Sequence, residues 1–126
     1  MQTIELAGQW FYTPTKPENY PLDNLRVLHL PQERSETGWL HRTFEMPPND
    51  ECSVWWLEGS GSTGDIWLNG MLVGAGTPGQ WRLDVTHAVT MEENIIIVNH
   101  QTSEQWTSMV LHPYPCQTRK DIHYDR

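Results

Sequence analysis

Asp65-Ile66-Trp67-Leu68-Asn69-Gly70 is followed at once by Met71-Leu72-Val73-Gly74. An alternating apolar run ends in Asn-Gly, and a second apolar run begins directly after it. Asn-Gly is the strongest short-range signal for a two-residue hairpin turn, because both central residues must take positive φ. The segment therefore predicts a β-hairpin. Asn69 and Gly70 read as its type I′ turn rather than as a ligand site.

The rest of the chain has the same character. Nine Gly and nine Pro punctuate short apolar segments, and no long stretch carries helical periodicity. Many short strands separated by turn signals argue for an all-β sandwich or barrel. Strands are predicted near 8–12, 26–30, 39–46, 53–58, 65–69, 71–75, 80–85, 94–100 and 106–112. Residues 13–25 read as a Pro-rich loop, 31–37 as a polar loop and 59–64 as a flexible turn. One short helical turn is expected between Val85 and Glu92, with Thr86 as N-cap.

Length and composition bound the answer. The 126 residues suit one domain over 1–126, with a polar tail from about 116, and leave room for a core. Hydrophobic content is only 37%, but seven Trp and four Tyr can fill a sandwich interior. The formal net charge of −8 argues against nucleic acid and anionic membranes as partners. No apolar run is long enough for a membrane-spanning helix. Met1 to Glu5 lack the features of a secretory signal, so a cytoplasmic setting is the expectation. A disulfide between Cys52 and Cys116 is allowed but not required.

Strand alternation sorts side chains between faces. Phe44, Trp55, Leu57, Ile66, Leu68, Leu83, Ile95 and Ile97 are expected in one core, with Trp81 and Val85. Trp39, His41, Trp56 and Trp67 are expected to face outward. Asp84, just before Val85-Thr86, reads as a side-chain-to-backbone anchor at a strand end.

Larger pieces recur in a telling order: Leu6-Ala7-Gly8-Gln9-Trp10, Leu30-Pro31, and Gly38-Trp39-Leu40-His41-Arg42-Thr43-Phe44-Glu45-Met46-Pro47. The Trp67-to-Gly70 hairpin follows, then Gln80-Trp81-Arg82-Leu83-Asp84-Val85-Thr86 and Asn94-Ile95-Ile96-Ile97-Val98. This order and spacing resembles the N-terminal sugar-binding domain of glycoside hydrolase family 2, from about Leu6 to Leu111. The resemblance implies a jelly-roll β-sandwich of the galactose-binding-like type. It does not imply catalysis, which in those enzymes sits on a separate barrel domain. The family's usual Gly-Ile-Tyr/Phe-Arg motif before the last strand is missing here.

Glu45, Glu58, Asp65, Asp84 and Glu104 are not paired by any motif of glycoside hydrolysis, which needs two carboxyl groups across one bond. His29, His41, His87, His100, His112 and His123 are scattered without metal-ligand spacing. No phosphate loop or nucleophile elbow is present. No catalytic residue, metal or cofactor is therefore expected. The tryptophans carry the functional signal, because sugars stack their C–H faces on aromatic rings while planar polar groups take the hydroxyls. The candidate carbohydrate-binding residues are Trp39, His41, Trp56, Trp67, Gln80, Arg82, Glu104 and Trp106. The expected function is a non-enzymatic carbohydrate-binding module of weak affinity, accessory to a glycoside hydrolase. The alternative is an interaction module forming a homodimer through an outward patch of Trp39, Trp56 and Trp67, or a patch covered by the 13–25 loop.

Overall fold

A computed structural model describes residues 3–17, 26–31, 37–47, 53–100 and 106–116. The expected all-β sandwich is the observed architecture. Its strands are β1 (Ile4–Glu5), β2 (Gly8–Thr13), β3 (Arg26–Leu30), β4 (Gly38–Glu45), β5 (Ser53–Ser60), β6 (Asp65–Leu68), β7 (Met71–Ala75), β8 (Gln80–Asp84), β9 (Glu93–His100) and β10 (Ser108–Pro115). A four-stranded sheet runs β1-β10-β5-β8, and a six-stranded sheet runs β3-β2-β4-β9-β6-β7. Every pairing is antiparallel.

The core lies between the sheets. Trp55, Leu57, Trp81, Met109 and Leu111 enter it from the smaller sheet. Trp10, Leu28, Leu30, Leu40, Phe44, Ile66, Leu68, Ile96 and Val98 enter from the larger one. Each fully buried aliphatic side chain stabilises the fold by roughly 1.5–3 kcal/mol relative to exposure. Trp10 is fully buried and donates from Nε1 to the Leu6 carbonyl at 2.7 Å. Arg42 Nη1 donates to the same carbonyl at 2.9 Å, so Arg42 ties β4 to the chain entering β2.

The hairpin turn is as expected, with Asn69 at φ 53° and Gly70 at φ 84°. The β6–β7 pairing skips a residue between Ile66 and Trp67, a bulge that re-aims β7. Gly74 sits there at φ 144°, and a Cβ would stand 2.8 Å from Leu83 Cδ2. Asp84 also plays its expected part. Its Oδ1 accepts from Thr86 N at 3.1 Å and from Thr86 Oγ1 at 2.7 Å. These bonds hold the carboxyl below the usual aspartate range.

Several expectations need correction. In β9 the inward residues are Ile96 and Val98, whereas Ile95 and Ile97 are half-buried on the outer face. Three consecutive isoleucines carry no alternation, so the parity of this strand could not be read. Leu83 is half-buried at the edge of the core. The expected helical turn at 85–92 is a single turn confined to Val85–Val89, closed by Ala88 N to Val85 O at 2.8 Å and by Val89 N to Val85 O at 3.2 Å. Thr86 does not cap a helix; its hydroxyl accepts from Trp55 N at 2.8 Å and so fastens this turn to β5. Cys116 is disulfide-bonded, and Cys52, the chain's other cysteine, lies outside the described residues. The last strand begins at Ser108 rather than at Trp106.

Candidate functional site

The outward tryptophans do not form one patch. Residues 59–64 do not close a β5–β6 hairpin: β5 belongs to the four-stranded sheet and β6 to the six-stranded one. Trp56 therefore lies on one outer face of the sandwich, and Trp39 and Trp67 on the other.

On the six-stranded sheet, the register aligns Phe11, His41, Ile97 and Trp67 in one row across β2, β4, β9 and β6. Trp39 sits one pleat away, opposite Asn99. The Trp39 and Trp67 rings meet over β9, with centroids 5.5 Å apart. Lys16 Nζ lies 4.2 Å from the Trp67 ring centroid and 5.7 Å from that of Trp39. His41 has the expected outward parity but is fully buried, flanked by its register partners Phe11 and Ile97. It is therefore out of reach of a ligand. Burial pushes its pKa down to about 4, because the imidazolium loses hydration there.

The four-stranded sheet carries a concavity on its outer face. Two register rows cross β10, β5 and β8: Ser108–Ser60–Gln80 and Val110–Glu58–Arg82. The next row is His112–Trp56–Asp84. An open groove of about 550 Å³ lies over the first two rows, with Gly59 and Trp81 completing its lining. That volume falls in the range of small-molecule sites. Gly59 is required here, since a Cβ would lie 2.4 Å from Trp81 Cζ2 and 2.8 Å from the Ser108 carbonyl.

One wall of the groove is a linked polar set. Arg82 Nε lies 3.3 Å from Glu58 Oε2, and Tyr114 Oη donates to that same oxygen at 2.7 Å. The hydrogen bond to Glu58 raises the Tyr114 phenol above its ordinary pKa. The Arg82 guanidinium lies 4.1 Å from the Trp56 ring centroid and 5.4 Å from that of Tyr114. Trp56 thus faces outward as expected, but Arg82 covers its ring. Tyr114 in turn packs against His112, with ring centroids 4.5 Å apart and ring planes 51° apart.

Of the eight residues expected at a carbohydrate site, Gln80 and Arg82 line the groove, and Trp56 lies beneath the Arg82 guanidinium. The structure sets Trp39 and Trp67 on the opposite face. Trp106 is fully buried, edge-on to Trp10 at 5.6 Å, so it cannot meet a ligand. The aromatic core draws it in, because Trp10 offers a ring edge at the end of the sandwich. Glu104 lies outside the described residues. Sequence reasoning missed Ser60, Ser108 and Val110 as groove residues, and Glu58 and Tyr114 as its wall. The alternation of 108–115 would have supplied most of them had that strand been placed correctly. Among the described residues no group of three or more His, Cys, Asp and Glu could hold a metal.

The fold is one that solved glycosidases contain. The chain is similar to a β-glucuronidase of Bifidobacterium dentium complexed with coumarin-3-O-glucuronide, at 23% identity and TM-score 0.62, over 79% of this chain and 20% of that one. It is also similar to a glycosyl hydrolase family 2 member from Bacteroides cellulosilyticus, at 18% identity and TM-score 0.70, covering 91% and 21%. A third similar structure is a β-D-mannosidase from Dictyoglomus thermophilum, at 13% identity and TM-score 0.65, covering 91% and 23%. These likenesses define a class of fold, a β-sandwich that recurs as one part of larger family 2 glycosidases. This chain spans about a fifth of the length of each. No protein-family model and no curated protein matches the chain.

Proposed function

We propose that this chain is a non-catalytic carbohydrate-binding module of weak affinity, corresponding to the N-terminal sugar-binding domain of family 2 glycosidases and accessory to a glycoside hydrolase. Fold alone does not fix function, so the proposal rests on the groove. The observation that carries it is the Ser108–Ser60–Gln80 row lying beside Val110 and the Arg82–Trp56 stack. Hydroxyl and amide groups stand beside the apolar side chains of Val110 and Trp81 and the planar Arg82 guanidinium, the mixture that a sugar with polar rims and C–H faces needs. An open groove on a sheet face buries little of its ligand, which fits weak binding.

The test is a glycan array followed by titration calorimetry on the sugars retained. Gln80→Ala should weaken binding by about tenfold, the scale of one or two lost hydrogen bonds to the ligand. Trp67→Ala, on the opposite face, should leave it unchanged. The reverse pattern would move the site to the six-stranded sheet. Retention of no sugar by the folded protein would end the carbohydrate reading.

A further inference from the structure

The groove's charges bear on which class of sugar it accepts. Ser60, Gln80 and Ser108 form a neutral row, and their side chains make no hydrogen bond among the described residues. Three uncharged donor–acceptor groups are therefore available to a ligand. Among the groove's lining residues the one cation is Arg82, and it is already engaged. Glu58 lies 3.3 Å from its Nε, and Trp56 and Tyr114 hold its guanidinium plane.

A carboxylate entering this groove would meet a dipole rather than a free cation. Attraction to Arg82 would be offset by repulsion from Glu58, which lies within the same few ångströms. The chain as a whole carries a formal charge of −8, so the long-range field also opposes an anion. A neutral hydroxyl-rich ligand meets none of this. It loses no counterion and can use the Ser108–Ser60–Gln80 row directly.

Resting on the reading of the groove as a carbohydrate site, we propose that it selects neutral sugars and rejects uronic acids, with Glu58 as the specificity-determining residue. Glu58 acts by neutralising Arg82 and pinning it against Trp56. Removing the Glu58 charge would free Arg82 to pair with a ligand carboxylate in a bidentate manner. The selectivity thus comes from masking a cation, not from lacking one.

The experiment compares neutral tetrasaccharides of gluco, manno, galacto and xylo configuration with tetrauronates derived from pectin and alginate, by titration calorimetry. Wild type should bind its best neutral ligand at least about tenfold more tightly than any uronate, a gap of ~1.4 kcal/mol. In Glu58→Gln, which keeps an acceptor for Tyr114, the gap should shrink through gain of uronate binding. In Arg82→Gln, which leaves Glu58 without its counterion, the gap should widen. Circular dichroism checks that each variant is folded. Uronate binding equal to or tighter than neutral binding in wild type would overturn the proposal while leaving the carbohydrate reading in place. An unchanged gap in both folded variants would overturn the role of Glu58. Failure of both sugar classes to bind wild type would overturn the reading and this proposal together.

Discussion

Asn69 Nδ2 lies 2.7 Å from Asn94 Oδ1, and this bond locks the β6–β7 turn to the segment entering β9. The same Nδ2 donates to Ala88 O at 2.8 Å, and Asn69 Oδ1 accepts from Ile95 N at 2.9 Å. Asn94, itself fully buried, accepts from Thr90 N at 2.8 Å and donates to Glu92 O at 3.1 Å. One asparagine at positive φ thus closes a turn and fixes a neighbouring loop.

Asn69→Ala should therefore be costly twice over. Alanine tolerates the left-handed region poorly, at roughly 1–2 kcal/mol, and the lost bonds leave buried partners unsatisfied, at about 1–3 kcal/mol. Asn69→Gly keeps the turn and loses only the bonds. Urea denaturation should rank wild type above Gly and Gly above Ala. Equal stability of the two variants would show that backbone conformation contributes nothing measurable here.

How much of this was legible in advance follows from the residues themselves. Asn69-Gly70 wrote its hairpin plainly, because that pair suits the positive φ of a two-residue turn; Gln80 to Val85 wrote its strand, because polar Gln80, Arg82 and Asp84 alternate with apolar Trp81, Leu83 and Val85; and the inward pair Trp55 and Leu57 followed from the family resemblance. Ile95-Ile96-Ile97 did not, since a strand apolar on both sides has no parity to read. Sheet membership was also hidden. The Gly-rich 59–64 segment looks like a hairpin turn, yet Gly59 and Ser60 continue β5 and 61–64 carry the chain from one sheet to the other, and that crossing separates Trp56 from Trp67. The groove suffered most, because it depends on β10–β5–β8 register, which pairs Ser108, Ser60 and Gln80 from distant parts of the chain.

His41 sets a pH window. Burial holds its pKa at about 4 in the fold, while an unfolded histidine titrates near 6.5. Between those values the unfolded chain binds the extra proton, so stability falls as pH falls. The full depression corresponds to on the order of 3 kcal/mol by pH 4. The depressed Asp84 carboxyl also withdraws stability on acidification, but only below the ordinary aspartate range, so the two windows are separable. Chemical denaturation at steps from pH 7.5 to 4.5 should show the loss, and His41→Phe should flatten it. An identical slope in that variant would assign the pH dependence elsewhere.

Trp10 and Trp106 form an internal comparison. Both are fully buried and meet edge-to-face, but among the described residues only Trp10 Nε1 has a partner, the Leu6 carbonyl. Trp106 Nε1 has none among the described residues. Replacing either by Phe removes similar volume. Trp10→Phe also removes a buried hydrogen bond, whereas Trp106→Phe removes an unsatisfied donor. Trp10→Phe should therefore cost more by about 1–3 kcal/mol, read from the two denaturation midpoints. A larger cost for Trp106→Phe would reveal a partner for its indole nitrogen.

The Trp39–Trp67 face decides whether this chain also associates. Two rings 5.5 Å apart, with half-buried Ile95 and Ile97 beside them, form an apolar strip under Lys16. As the cover of a monomer, Lys16 stacked on Trp67 would contribute at most about 1 kcal/mol, as exposed cation–π pairs do. Trp67→Ala would then change stability little and molar mass not at all. As the seam of a homodimer, the strip would have Trp67 near its centre, where aromatic anchors carry most of the binding energy. Trp67→Ala would then convert dimer to monomer at micromolar concentration, and Lys16→Glu would act in the same direction only if Lys16 meets an acidic partner. Light scattering across a concentration series separates the two outcomes. A chain that is monomeric at every concentration, in wild type and mutant alike, would rule out the dimer and leave the strip as surface closed by its own lysine.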